Sequence, residues 1–148
     1  MQKLYAHSWL PEDIETQLKK RFDLLSHNAH EKILSEKEFN ISAKGVNGVI
    51  SQGNKINSEY FSQNKNTLKI IANVGVGFDN IDIDSANKNS VIVTNTPGVL
   101  DMAVSDMTMG LILAIARRIP EGDIFTKSGG YKGNPFPLLW GADLAGEK

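Results

Sequence analysis

The chain contains no cysteine, which excludes disulfides, thiol nucleophiles and cysteine-ligated metal sites. Charge of one sign is also lacking, since 16 Lys and Arg stand against 17 Asp and Glu for a net charge of −1. With no basic surplus there is no electrostatic footprint for nucleic acid or for an anionic membrane. Long apolar runs are missing. The longest, Leu111–Ala116, is far short of the roughly 20 residues a membrane helix requires. The opening stretch MQKLYAHSWLPEDIE has no apolar signal segment, and the cytoplasm is the expected compartment. Histidine is scarce: His7, His27 and His30 all fall in the first quarter, at strand ends and loops, where a solvated or capping role is expected.

What is present is the material of an ordinary globular domain, with 148 residues of which 41% are apolar. Short apolar runs alternate with polar helical segments, the pattern of a parallel α/β sheet. Strands are expected at Lys3–Ala6, Phe22–Ser26, Gly48–Ser51, Leu68–Asn73 and Val91–Thr94. Helices are expected at Pro11–Lys20, Ala29–Glu36, Ser58–Gln63 with Ser58 as N-cap, and Asp82–Asn89. The result is an α/β fold with a flavodoxin-like five-stranded parallel sheet, in which ligands bind beyond the carboxyl ends of the strands.

Gly75, Val76 and Gly77 form a turn at such an end, after the fourth strand. Glycines let a ligand approach the backbone, and free N–H groups in a turn cradle an anion. The plain alternative is a tight, ligand-free link from strand to helix. Position 80 is Asn80, so the turn is no dinucleotide fingerprint. Asp79, Asn80 and Asp82 lack a fourth ligand for a metal and are expected to be structural, Asp79 or Asn80 bonding turn amides and Asp82 capping the next helix. Ser51, Gln52 and Gly53 end the third strand beside the same crevice, and Thr96-Pro97-Gly98 make a turn after the fifth. A phospho-acceptor receiver domain shares the layout. It needs acidic residues after the first and third strands and a lysine after the fifth, where this chain has His7-Ser8, Ser51-Gln52 and Asn95-Thr96.

Beyond the fifth strand, a helix expected over Asp101–Arg118 is apolar all round, with eleven of the fifteen residues from Met102 to Ala116 apolar. Such a helix calls for cover on more than one face and implies a partner surface. Gly129–Leu144, rich in Gly and Pro, reads as an extended arm.

NVGVGFDNID (Asn73–Asp82) and VTNTPGVL (Val93–Leu100), with DMAVSDMTMGLILAIARR (Asp101–Arg118) agreeing in pattern, resemble the D-isomer-specific 2-hydroxyacid dehydrogenases, especially their glyoxylate and hydroxypyruvate reductase branch. The resemblance implies that residues 1–97 are a substrate domain lacking its C-terminal completing helix. It implies that residues 98–148 are the first helix and dimerisation arm of a cofactor domain, ending before the Rossmann strand and its G-x-G-x-x-G loop. Thr96-Pro97-Gly98 becomes the hinge between them. In the family the N–H groups of Val76 and Gly77 hold the substrate carboxylate, with Gly75, Gln52 and Gly53 also at the substrate. Val76 and Val104 are the cofactor-side candidates. Val104 stands where many members have Thr near the nicotinamide, and Asp101-Met102 replace a frequent Thr-Asp pair. Asp106 is expected to tie down the helix.

The family's reaction is NAD- or NADP-dependent reduction of a small 2-keto acid to a D-2-hydroxy acid. Its arginine, glutamate and histidine would lie beyond Lys148. None of the three histidines here matches the acid–base position, and Arg117 and Arg118 close a helix away from the turn. The implied portion therefore has no catalytic residue or metal of its own, binds no cofactor by itself and is inactive alone. It would form a homodimer through Asp101–Arg118 and Gly129–Leu144, with Phe136 or Trp140 reaching a neighbouring active site. The alternative is a non-catalytic chain that dimerises with a full-length relative and modulates it.

Overall fold

A computed structural model describes residues 1–7, 9–26, 34–133 and 138–146. His27, His30 and Phe136, and most of the helix expected over Ala29–Glu36, lie outside the described residues. The chain divides into two units, Met1–Gly98 and Val99–Lys148.

In the first unit the order is β1 (Lys3–His7), α1 (Glu12–Lys19), β2 (Asp23–Ser26), α2 (Glu36–Ser42), β3 (Gly48–Ser51), α3 (Ser58–Asn64), β4 (Ile70–Asn73), α4 (Ile83–Lys88) and β5 (Ile92–Thr94). The five strands form one parallel sheet in the order β2-β1-β3-β4-β5, the flavodoxin-like arrangement that the alternation predicts. Side chains alternate between the faces of a strand, so register sorts them into rows. Tyr5, Val49, Ile71 and Val93 make one row, and the first three are buried. Over them lie Phe39 and Ala43 of the α2 region, Tyr60 and Phe61 of α3, and Ala86 of α4. The opposite face thins towards β5, where Ile92 is 62% exposed.

The helix ends show why these segments start where they do. The helix expected over Ala29–Glu36 has no helical residue before Glu36 among those described; α2 instead runs Glu36–Ser42. The cause is a capping box: the Glu38 N–H donates to Ser35 Oγ, while the Glu38 carboxylate accepts from the Ser35 N–H at 2.9 Å. The start of α3 is capped by Asn57, one residue before the expected Ser58; Asn57 Oδ1 accepts from the Tyr60 N–H at 3.1 Å. Asp82 caps α4 as expected. Gly48 sits in β3 because its neighbours leave no room: a Cβ there would lie 3.0 Å from Leu4 Cδ1 and 3.2 Å from Ile70 Cγ2.

The second unit holds α5 (Asp101–Ala116) and α6 (Ile119–Lys127). The expected helix to Arg118 breaks at Arg118, whose φ of 53° is left-handed, and a second helix, unforeseen in the sequence, follows with Pro120 in its first turn. No α5 residue is buried, and Met102 and Ile115 are 78% and 76% exposed. The described part of the arm is not simply extended. It folds back on the end of α5, with the Ala142 N–H donating to the Ala116 carbonyl at 2.8 Å and Arg117 paired with Asp143 at 2.6 Å. Gly141 permits that approach, since a Cβ would stand 2.1 Å from the Ala116 oxygen.

Candidate functional site

Residues at the carboxyl ends of β1, β3 and β4 stand side by side: His7 is in register with Ser51, and Ser51 with Asn73. All three are buried. Neither Ser51 Oγ nor Asn73 Oδ1 has a hydrogen-bond partner among the described residues. Buried polar atoms left so are uncommon. The solvated role expected for His7 does not hold. It is 4% exposed, edge-on to Phe39 at 5.5 Å and stacked with Tyr5 at 6.3 Å. Its place two residues after Tyr5 puts it on the core face, a period-two signal visible in the sequence.

The Gly75 turn leaves β4 alongside the β3 exit, tied by the Val74 N–H to the Ser51 carbonyl at 2.7 Å. Its other side is tied to the β5 exit. The Gly75 N–H donates to Thr96 Oγ1 at 3.1 Å, and the Thr96 N–H returns a bond to the Gly75 carbonyl at 3.0 Å. Asn95 Nδ2 donates to the Val76 carbonyl at 2.9 Å, and Asn73 Nδ2 to the Gly77 carbonyl at 2.8 Å. The turn's carbonyls from Gly75 to Gly77 are thus all engaged. The N–H groups of Val76 and Gly77 meet no acceptor among the described residues. Two adjacent amides with free hydrogens, at the end of a strand and on an exposed turn, are a ready anion site.

Neither turn glycine has the positive φ that only glycine adopts readily. A Cβ on Gly75 would meet nothing nearer than Asn73 Nδ2 at 3.6 Å; one on Gly77 would sit 3.2 Å from Asp79 Oδ1. A left-handed backbone therefore explains neither glycine, and of the two only Gly77 is crowded by a neighbour.

The acidic triplet separates into different roles. Asp82 Oδ1 accepts from the Ser85 N–H at 2.9 Å and Oδ2 from the Ser85 hydroxyl at 2.7 Å. The Ser85 N–H, then its hydroxyl, hold the Asp82 carboxyl below its ordinary pKa. Asn80 does not bond turn amides: its Nδ2 donates to the Asn54 carbonyl at 2.8 Å, while the Ile56 N–H donates to the Asn80 carbonyl at 2.8 Å. These bonds stitch the loop after β3 to the loop after β4. The Asp79 side chain makes no hydrogen bond among the described residues, and no group of three or more acidic or histidine side chains among them could hold a metal. Burial raises the hydroxyl pKa of Tyr5 and of Tyr60, the latter donating to the Ala43 carbonyl at 2.8 Å.

Gln52 and Gly53 are exposed on the loop after β3, where Gly53 takes a left-handed φ of 73°. They line an open cavity of about 320 Å³ with His7, Leu34, Glu36, Asn54 and Lys55. Val76 is 42% exposed on the turn. Val104 is on α5 in the second unit and 58% exposed; the side chain of Asp106, expected to tie that helix down, makes no ion pair or hydrogen bond among the described residues. A dinucleotide phosphate cradle needs a glycine-rich loop running straight into a helix. Here Phe78–Asp82 intervene before the six residues of α4, so the turn does not fit that group. Asn73 and Asn95 were not singled out in the sequence; their signal is an amide side chain at the end of each of two neighbouring strands.

The sequence profile of the D-isomer specific 2-hydroxyacid dehydrogenase catalytic domain matches residues 5–141. A Staphylococcus epidermidis protein named as a 2-hydroxyacid dehydrogenase is 33% identical over 147 residues, 99% of this chain and 46% of its own length. The glyoxylate reductase of Thermococcus litoralis is 54% identical over 70 residues, 47% of this chain and 21% of that enzyme. Among solved structures, the TT0316 protein of Thermus thermophilus superposes with a TM-score of 0.87 at 33% identity, covering 96% of this chain and 45% of that one. The chain thus spans about half the length of the relatives that it matches end to end.

Proposed function

Because the chain belongs to the D-isomer-specific 2-hydroxyacid dehydrogenases, we propose that its β4–α4 turn holds the carboxylate of a small 2-keto acid for reduction to the D-2-hydroxy acid. The supporting observation is the pair of Val76 and Gly77 N–H groups left without acceptors while the carbonyls around them are engaged. Oriented amides stabilise a carboxylate without a mobile cation, and they cost no reorganisation when it arrives. Gly75 leaves the approach open, and Gln52 and Gly53 border the substrate from the loop after β3. Glyoxylate and hydroxypyruvate are the proposed substrates, and a glyoxylate reductase is among the matching relatives.

NADH or NADPH would supply the hydride. Val76 on the turn offers that cofactor apolar contact and no phosphate cradle. We therefore assign to this chain the holding of substrate, and to groups that it does not bring to the turn the polarisation of the carbonyl and protonation of the product. The chain alone is then inert. The exposed apolar surface of α5 supports a second assignment, homodimerisation through α5 and the arm.

The test combines binding and turnover. Glyoxylate added to the ¹⁵N-labelled chain should shift the Val76 and Gly77 amide signals first, and NADH and NADPH should remain unoxidised with glyoxylate or hydroxypyruvate. Shifts confined to other residues would remove the carboxylate site. Turnover by a chain of verified mass would show that the reaction needs no further groups. Sedimentation at rising concentration decides the dimer, which a lone monomer at all concentrations would exclude.

A further inference from the structure

We propose that Asn95 is a positioning residue that aims the Gly77 N–H at the substrate carboxylate, and that the exit of β5 as a whole sets the anion site. The inference rests on the reading of Val76 and Gly77 as the carboxylate donors. A trans peptide is planar, with its C=O and N–H pointing in opposite directions. Fixing the carbonyl of one residue therefore fixes the direction of the next residue's N–H. The Val76 carbonyl is held by Asn95 Nδ2 at 2.9 Å, which turns the Gly77 N–H the other way. The Gly75 carbonyl is held by the Thr96 N–H at 3.0 Å, which does the same for the Val76 N–H. Both donors thus take their aim from two consecutive residues on the neighbouring strand's exit. The Gly75 N–H, by contrast, is occupied by Thr96 Oγ1 at 3.1 Å and withdrawn from the site. Asn73 fixes the following peptide, binding the Gly77 carbonyl at 2.8 Å, and so governs the Phe78 N–H.

Of the two bonds that aim the donor peptides, the one from Asn95 comes from a side chain on an exposed turn and the one from Thr96 from the backbone. It can be removed without touching the core. An aspartate has the same shape but cannot donate to a carbonyl, and it faces that oxygen with like charge. The variants Asn95→Ala and Asn95→Asp should keep the sheet intact while freeing the Val76–Gly77 peptide to rotate.

The experiment reads N–H directions by residual dipolar couplings in the ¹⁵N-labelled chain, then titrates glyoxylate. In both variants the Gly77 N–H coupling should change while those of Val49 and Ile71 in the strands stay as in the parent. Glyoxylate affinity should fall about fivefold in Asn95→Ala, the factor one neutral hydrogen bond supplies, and further in Asn95→Asp. A Gly77 coupling unchanged in both variants overturns the positioning role, whatever the affinity does. Altered strand couplings in one variant leave the other to decide. A parent chain whose Val76 and Gly77 signals ignore glyoxylate overturns the carboxylate reading, and with it the purpose of the aim. In that case the couplings still show whether Asn95 sets the peptide.

Discussion

Gly75→Ala separates the two explanations of the turn, because a glycine kept for the fold and one kept for a ligand respond with opposite signs. A methyl at that position would have only ordinary contacts, 3.6 Å to Asn73 Nδ2 and 3.9 Å to the Gly77 carbonyl, and the φ of Gly75 is not left-handed. Nothing in the folded state is strained by alanine, whereas the unfolded chain loses freedom. The substitution should stabilise the first unit by about 0.4–1 kcal/mol. Gly53 gives the internal contrast. It too has open space around it, but its φ is 73°, and alanine there should cost roughly 1–2 kcal/mol. Native-state hydrogen exchange of the Ile71 amide, in β4 between β3 and β5 of the sheet, measures both. Exchange should slow about two- to fivefold in Gly75→Ala and quicken about fivefold or more in Gly53→Ala. If the glycine serves ligand approach, glyoxylate affinity falls in the same Gly75→Ala variant whose fold has become no weaker. Faster Ile71 exchange in Gly75→Ala would refute the reasoning and return the turn to a purely structural role.

Other elements give independent tests. The Asp82 carboxyl is held below its ordinary pKa in the folded chain, so its contribution is complete above the unfolded value of about 3.8 and disappears as pH falls through the lower folded value. Asp82→Asn should accordingly flatten the acid limb of the stability curve below pH ~4, which acid titration followed by circular dichroism would detect. Tyr60→Phe removes a buried donor to the Ala43 carbonyl and should cost about 1–2 kcal/mol in urea unfolding; no change would mean that water satisfies that carbonyl as well as the phenol does. Gly141→Ala places a methyl against the Ala116 carbonyl and should release the arm from the end of α5, seen as faster proteolysis after residue 129 with Ile71 exchange unchanged.

Much of the frame was legible in the residues alone. The alternation of apolar runs and polar segments is a local property, and it located all five strands to within two residues of their observed limits. Gly-x-Gly after β4 named the turn, and Asp82 before a polar helical run named its cap. Two further local signals lie in the same residues: Ser35-x-x-Glu38, which starts α2, and the two-residue step from Tyr5 that buries His7.

What the sequence could not determine is which groups meet across strands. Asn95 lies 19 residues from Val76, and Asn80 lies 26 from Asn54, separations over which no periodicity carries information. Parallel register brings the exits of β3, β4 and β5 together, and only then do side chains from one exit orient the peptides of another. The residue types at the turn therefore specify that its amides can bind an anion. The tertiary structure decides where the Val76 and Gly77 amides point, because a peptide's direction is set by the partners of its carbonyl, and those partners come from elsewhere in the chain.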